Sequence, residues 1–198
     1  MKNNINSIKV NYTTLQREFF RKSIHVTIAI VPLLANINRS ATIVFLVLGS
    51  MFYLATEYLR MNGVNLGLIT TITSIASRDR DKGITLGPLT LAMGSILALL
   101  FFSPVAASCG IYALAFGDGL SSVTGKLWGK VKIPFTNGKS YIGFLTCYTM
   151  ILSTTYGITG SFNKAVLAAT IGAFTELIPV KDVDNIMIPL VVALCVTI

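Results

Sequence analysis

Apolar residues run along the chain in seven long stretches, roughly 23–38, 40–59, 84–102, 104–120, 140–158, 163–180 and 185–198, separated by short polar or charged segments. Several approach the ~20 residues that a helix needs to cross a bilayer, and none carries a charge through its middle. The pattern predicts an all-α fold: a polytopic helical bundle of about seven transmembrane helices in a single membrane domain, 1–198. The last stretch is short. At ~1.5 Å per residue, the 14 residues from Asn185 to Ile198 reach about two thirds of the hydrocarbon core. Residues 1–22 are polar and then basic and form a cytosolic N-terminal segment. No small-x-small cleavage site directly follows Ile24–Ile37, so this run is expected to stay as a mature helix. The segment 61–83 mixes Asn and Thr with apolar residues before Arg78-Asp-Arg-Asp-Lys82, and reads as an amphipathic helix at the interface or lining a groove.

Composition names the solvent. Of 198 residues, 53% are hydrophobic and 12% charged, whereas soluble domains carry roughly a quarter charged residues. Charge placement then gives the orientation. With the N-terminus inside, all of the 16 Lys and Arg except Arg39 and Lys164 fall in cytosolic segments, as the positive-inside rule requires. The eight acidic residues gather on that same side, which the rule does not demand. Both signs on one face predict a cytosolic active face. The net charge of +8 follows from topology and attraction to anionic lipid. No nucleic-acid module is present, so nucleic acid is not an expected partner. Cys109, Cys147 and Cys195 lie in apolar stretches without CxxC spacing, which predicts small buried hydrophobes rather than disulfides or a zinc site.

Candidate chemistry concentrates in 113–143. Asp118, between Gly117 and Gly119, sits at the end of an apolar stretch, where a carboxylate is costly unless paired, hydrated or metal-bound. Beyond it, Gly125-Lys126, Gly129-Lys130, Lys132 and Gly138-Lys139-Ser140 alternate glycine with lysine. Glycine lets backbone N–H groups approach an anion and lysine supplies point charges, so the run suits a polyphosphate. It does not match GxxxxGK[ST]. Near the N-terminus, Arg21 and His25 are i and i+4 on a helix face, with Lys22 one step around. His25 is the only histidine and a candidate hydroxyl contact or proton acceptor. Glu57 and Arg60 are i and i+3, either a helix-end pair or part of a site. Glu176, Asp182 and Asp184 surround the last junction. With Asp118 they offer oxygen ligands for Mg²⁺ on a nucleotide, and spacing does not choose among them.

These residues resemble the family of CTP-dependent polyprenol kinases, which includes dolichol, phytol and farnesol kinases and a CTP-dependent diacylglycerol kinase. The resemblance rests on Arg21-Lys22-x-x-His25, Glu57-x-x-Arg60, Gly117-Asp118-Gly119 with its Gly-Lys loop through Gly143, and Glu176 with Asp184-Asn185-x-x-x-Pro189. It implies transfer of the γ-phosphate of CTP to a membrane-embedded alcohol with Mg²⁺ as cofactor. On that pattern Asp118 binds metal or activates the hydroxyl, and Lys126, Lys130, Lys132 and Lys139, with Gly117, Gly119 and Gly125, hold the CTP phosphates. Glu57, Glu176 and Asp184 complete the polar site, the last two as metal ligands with Asp118. Arg21, Lys22 and His25 face the lipid head, with His25 and Glu57 counted beside Asp118 as catalytic and Arg21 and Lys22 with the nucleotide-binding residues. Two other readings stand beside this one. A phosphatidate cytidylyltransferase also uses CTP, but its late Lys-Arg-x4-Lys-Asp run and His-Gly-Gly element are missing. A small transporter or non-enzymatic subunit predicts inverted repeats or midplane charges, and the sequence has neither.

Overall fold

The computed structural model describes residues 2–64, 67, 85–179 and 182–198, with side chains from Leu15 onward in the first helix. The predicted interfacial helix over 61–83 lies mostly outside the described residues, as do the Arg78–Lys82 run and Lys181. The described chain folds as α1 (Lys2–Thr27), α2 (Ile30–Met61), α3 (Gly87–Phe101), α4 (Pro104–Tyr112), a π-helical segment (Ala113–Asp118), α5 (Gly119–Leu127), α6 (Tyr141–Thr159), α7 (Phe162–Glu176) and α8 (Asp184–Thr197). Among the described residues the only strand-like pairing is an isolated antiparallel bridge between Lys132 and Ser140.

Local chemistry sets the boundaries. Ser103 accepts from Ala106 N at 3.3 Å and Pro104 takes the first turn, where its missing N–H costs nothing. Ser140 caps α6 by accepting from Gly143 N at 3.1 Å, and α6 ends on Gly160 in the left-handed conformation (φ 65°). Within α2 the helix breaks at Asn38, whose backbone is extended and whose side chain accepts from Ala41 N at 3.0 Å. The break falls where the sequence pattern divides the first two stretches. Two cations satisfy carbonyls at helix ends that would otherwise lack partners. Arg39 donates to Leu99 O and Phe102 O at the end of α3, and Lys164 to Val196 O near the end of α8.

The core lies where α4, α6, α7 and α8 meet. It is built of small residues with a few large ones: Ala106, Cys109, Ala113, Ala168, Ala169 and Ala173 around Leu114, Ile151, Ile188 and Val192. All three cysteines are free and buried, as expected. Small side chains let backbones approach: a Cβ on Gly94 or Gly110 would strike the carbonyl of Asn185 or Pro189 on α8. Large apolar side chains also point outward. Phe45, Leu48, Phe52, Phe101, Leu145, Phe162 and Phe174 are each at least 60% exposed. One helical stretch of the described residues, Leu15–Met61, is long and apolar enough to cross a membrane, and α3 and α8 are apolar but shorter.

Candidate active site

Asp118 closes the π-helical segment, an irregularity that recurs at functional sites because its wider turn re-aims side chains. Its carboxylate is almost fully buried and faces α1. Lys22 Nζ lies 2.5 Å from Asp118 Oδ2, and His25 Nδ1 approaches the same oxygen to 3.0 Å without making an aligned hydrogen bond. Lys22 and His25 are i and i+3 and so share a face of α1. Gly119 lets that helix sit close, since a Cβ there would already touch Val26 and His25. A buried carboxylate held by a buried ammonium is neutralised, but removing either partner leaves the other stranded.

The other predicted cation on this helix points elsewhere. Arg21 donates to Glu18 Oε1 at 2.7 Å, and Lys126 Nζ of α5 lies 2.8 Å from Glu18 Oε2. Burial raises the Glu18 carboxyl, but Arg21 and then Lys126 outweigh it and hold it below the ordinary glutamate value. The sequence reading counts Glu18 only among the acids of the charged face. Its i,i+3 spacing to Arg21 is the signal available there.

Beside this cluster, α5, the 128–140 loop, the start of α6 and the end of α7 enclose a cleft of about 160 Å³. Ser121, Gly125, Lys126, Lys132, Lys139 and Glu176 are among its lining residues. Its glycines are tightly packed: a Cβ on Gly125 would meet Ser140 Oγ, and one on Gly143 would lie 2.9 Å from Ser121 O, while Gly129, outside the lining, packs on Ser140 in the same way. Lys139 Nζ sits 3.0 Å from Glu176 Oε1 and also donates to the Glu176 carbonyl. Ser121 connects the two centres. Its hydroxyl lies within donating distance of the Asp118 carbonyl (3.1 Å) and of Glu176 Oε1 (3.4 Å). Lys130 and Lys132 are exposed on the loop, with Lys132 Nζ 3.5 Å from Gly125 O.

The structure thus gathers Lys22, His25 and Asp118 at one centre, Arg21 and Lys126 on Glu18, and Lys139 on Glu176. It gives two predicted glycines packing positions: Gly117 lies against Ile151 and Cys147 of α6, and Gly119 against α1. Glu57 is placed apart. Fully buried, it takes Arg60 Nε at 2.9 Å and Arg60 Nη2 at 2.7 Å, and accepts from Thr85 N at 2.8 Å. None of its described contacts reaches Asp118.

Of the predicted metal ligands, Asp184 is half-buried at the start of α8. Burial first, and then the Asp118 charge, push its carboxyl up to about 6. Lys22 and Lys139 act against that shift without cancelling it. Among the described residues, no three His, Cys, Asp or Glu side chains come together as a preformed metal cage.

No family model matches the chain, and no solved structure matches it. Several curated proteins do. The chain is 28% identical over 141 residues to "Probable phytol kinase 1, chloroplastic" of Oryza sativa subsp. japonica, covering 60% of this chain and 44% of that protein. It is 26% identical over 210 residues to "Probable phytol kinase 3, chloroplastic" of Glycine max, covering 89% and 63%. With "Phytol kinase 1, chloroplastic" of Arabidopsis thaliana it shares 25% identity over 141 residues, covering 60% and 45%. The chain spans roughly half the length of these relatives. The chain is thus similar to phytol kinases, which accords with the polyprenol kinase family that its motifs resemble.

Proposed function

We propose that this chain is a membrane-embedded kinase that transfers the γ-phosphate of a nucleoside triphosphate, CTP on the family resemblance, to the hydroxyl of a lipid alcohol of the phytol or polyprenol class. The observation that carries the reading is a lysine-lined cleft, with the buried Glu176 carboxylate on its wall, next to the helix turn that holds the buried Asp118 carboxylate. A cleft of about 160 Å³ is smaller than the ~300 Å³ at which whole-ligand pockets begin, so it takes the phosphates and leaves the nucleoside at its rim. Phosphoryl transfer is mostly positioning and charge stabilisation, and these residues supply both.

Lys126, Lys132 and Lys139 hold the phosphate oxygens, with Lys130 adding positive potential from the loop and Gly125 letting the backbone approach. Asp118 and Asp184, with Glu176 behind Lys139, would hold Mg²⁺, which when bound neutralises charge on the donor phosphates. The His25 imidazole receives the hydrogen bond of the acceptor hydroxyl and takes its proton, while Asp118 Oδ2, 3.0 Å from Nδ1, favours the imidazolium. Lys22 holds Asp118 until the donor phosphates offer its ammonium a second anion. Glu57 anchors the end of α2 to the start of α3 and acts on the site only through that scaffold.

The outward-facing Phe and Leu side chains and the one-sided charges support a multi-pass membrane protein with the cleft on the cytosolic side. The test is transfer of label from γ-³²P-CTP and, separately, α-³²P-CTP to phytol, polyprenol, diacylglycerol or phosphatidate by the purified protein with Mg²⁺. The expected result is label on an alcohol from the γ position only, lost in Asp118→Asn. Label on phosphatidate from the α position would make the protein a cytidylyltransferase instead.

A further inference from the structure

Glu18 has no part in the chemistry above, yet its environment is not that of a solvated helix acid. Its side chain is 8% exposed and contacts two cations from different parts of the chain. Arg21 is one turn away on α1, and Lys126 lies at the end of α5 as a wall of the cleft. Exposed ion pairs contribute little, and nothing in the helical pattern of α1 requires a carboxylate to be buried at this position. What the contact achieves is geometric. Lys126 is 45% exposed on a flexible four-carbon stem, and the only partner described for its ammonium is Glu18. The same α1 carries Lys22 and His25 to Asp118. One carboxylate therefore ties the helix bearing the Asp118 partners to the helix bearing the cleft lysine. It leaves its group of three one net positive charge.

We infer that Glu18 is a positioning residue for the phosphate donor: it presets Lys126 on the wall of the cleft, with Arg21 balancing its charge from the other side. The inference rests on the kinase reading and adds a residue to its donor site. A staple that only held α1 to α5 would, when lost, lower the folded fraction and leave the donor KM of the surviving enzyme alone. A positioning carboxylate acts through Lys126, so its removal changes donor affinity and does so only while Lys126 is present.

The experiment is a steady-state comparison of the full chain in detergent, with CTP and phytol varied separately, for the wild type, Glu18→Gln, Lys126→Gln and the double variant. Expected are a rise of about tenfold in the CTP KM for Glu18→Gln, a phytol KM within about twofold of wild type, and a double variant no worse than Lys126→Gln alone. Glu18→Asp keeps the charge on a shorter arm and is expected to fall between the wild type and Glu18→Gln. It also serves as the test if Glu18→Gln does not fold. A CTP KM unchanged in Glu18→Gln or in Glu18→Asp overturns the inference, and so do effects of Glu18→Gln and Lys126→Gln that multiply in the double variant. A wild-type protein inert with every nucleotide and alcohol would overturn the kinase reading itself, and this inference with it, so the two failures are distinguishable.

Discussion

Replacing Lys22 by methionine tests the centre of the site, because the change keeps the length and apolar stem of the side chain and removes only its charge. Lys22 Nζ and Asp118 Oδ2 are 2.5 Å apart, and the two side chains are 5% and 3% exposed. Exposed pairs contribute about 0–1 kcal/mol. A buried pair that loses one member costs far more, about 3–5 kcal/mol, because the remaining charge has no water to turn to. Here His25 Nδ1 stands 3.0 Å from the same oxygen and compensates in part by taking a proton, which places the expected cost at the lower end, about 3 kcal/mol. For a chain of this length each kcal/mol moves the thermal midpoint by about 2–4 °C, so Lys22→Met is expected to fall by about 6–12 °C. Asp118→Asn added to Lys22→Met removes the stranded charge and is expected to recover most of that loss, although neither variant transfers phosphate. The assay is thermal unfolding of the detergent-solubilised single and double variants at pH 7. A drop below about 2 °C for Lys22→Met, or a double variant less stable than Lys22→Met, would refute the buried pair.

Three further outcomes follow from other parts of the structure. Gly129→Ala places a methyl group against Gly125 O and Ser140 Oγ and is expected to cost about 1–3 kcal/mol in thermal stability, whereas Gly157→Ala, with nothing within 4 Å, is expected to be neutral or to stabilise by up to about 1 kcal/mol through helix propensity. Glu57→Gln keeps the shape but takes the charge from the Arg60 pair and is expected to lower the thermal midpoint by the equivalent of about 1–3 kcal/mol with the nucleotide KM unchanged; a raised KM would return Glu57 to the reacting site. Glu18 titrates below its usual value of 4.5, so its stabilising effect is complete above that pH and disappears as pH falls through the folded value. The midpoint difference between wild type and Glu18→Gln is therefore expected to be constant from pH 6 to 8 and to shrink below pH 4.5, and a difference that grew on acidification would contradict the assignment.

How much of this was legible in the sequence depends on the distance over which each feature is decided. Helix limits are local: Ser103-Pro104, Ser140 and Gly160 stop and start helices through bonds within a turn of themselves, and the apolar stretches coincide with α3 to α8 to within a few residues at most ends. The exception is 104–120, where one apolar run becomes α4, a π-helical segment and α5, because the extra residue per turn that aims Asp118 leaves no mark on hydropathy. The face of α1 was half legible. Helical spacing groups Arg21 with His25, but in the bundle Lys22 and His25 turn to Asp118 while Arg21 turns back to Glu18. Which neighbour a cation takes is decided by the helix packed against it, here at Gly119, about ninety residues further along. Lys139 with Glu176 and Glu57 with Thr85 are likewise contacts between elements, invisible to periodicity. The two glutamates show how burial then separates residues of the same type. Glu57, sealed by its own i+3 arginine and a backbone N–H, has every oxygen occupied and no opening to a ligand. Glu176 shares its oxygen with a lysine that lines an open cleft, so an anion entering there would compete with it for Lys139. On the proposed reading, the capacity to respond to an anion, rather than the presence of a buried carboxylate, is what distinguishes the cleft side of this bundle.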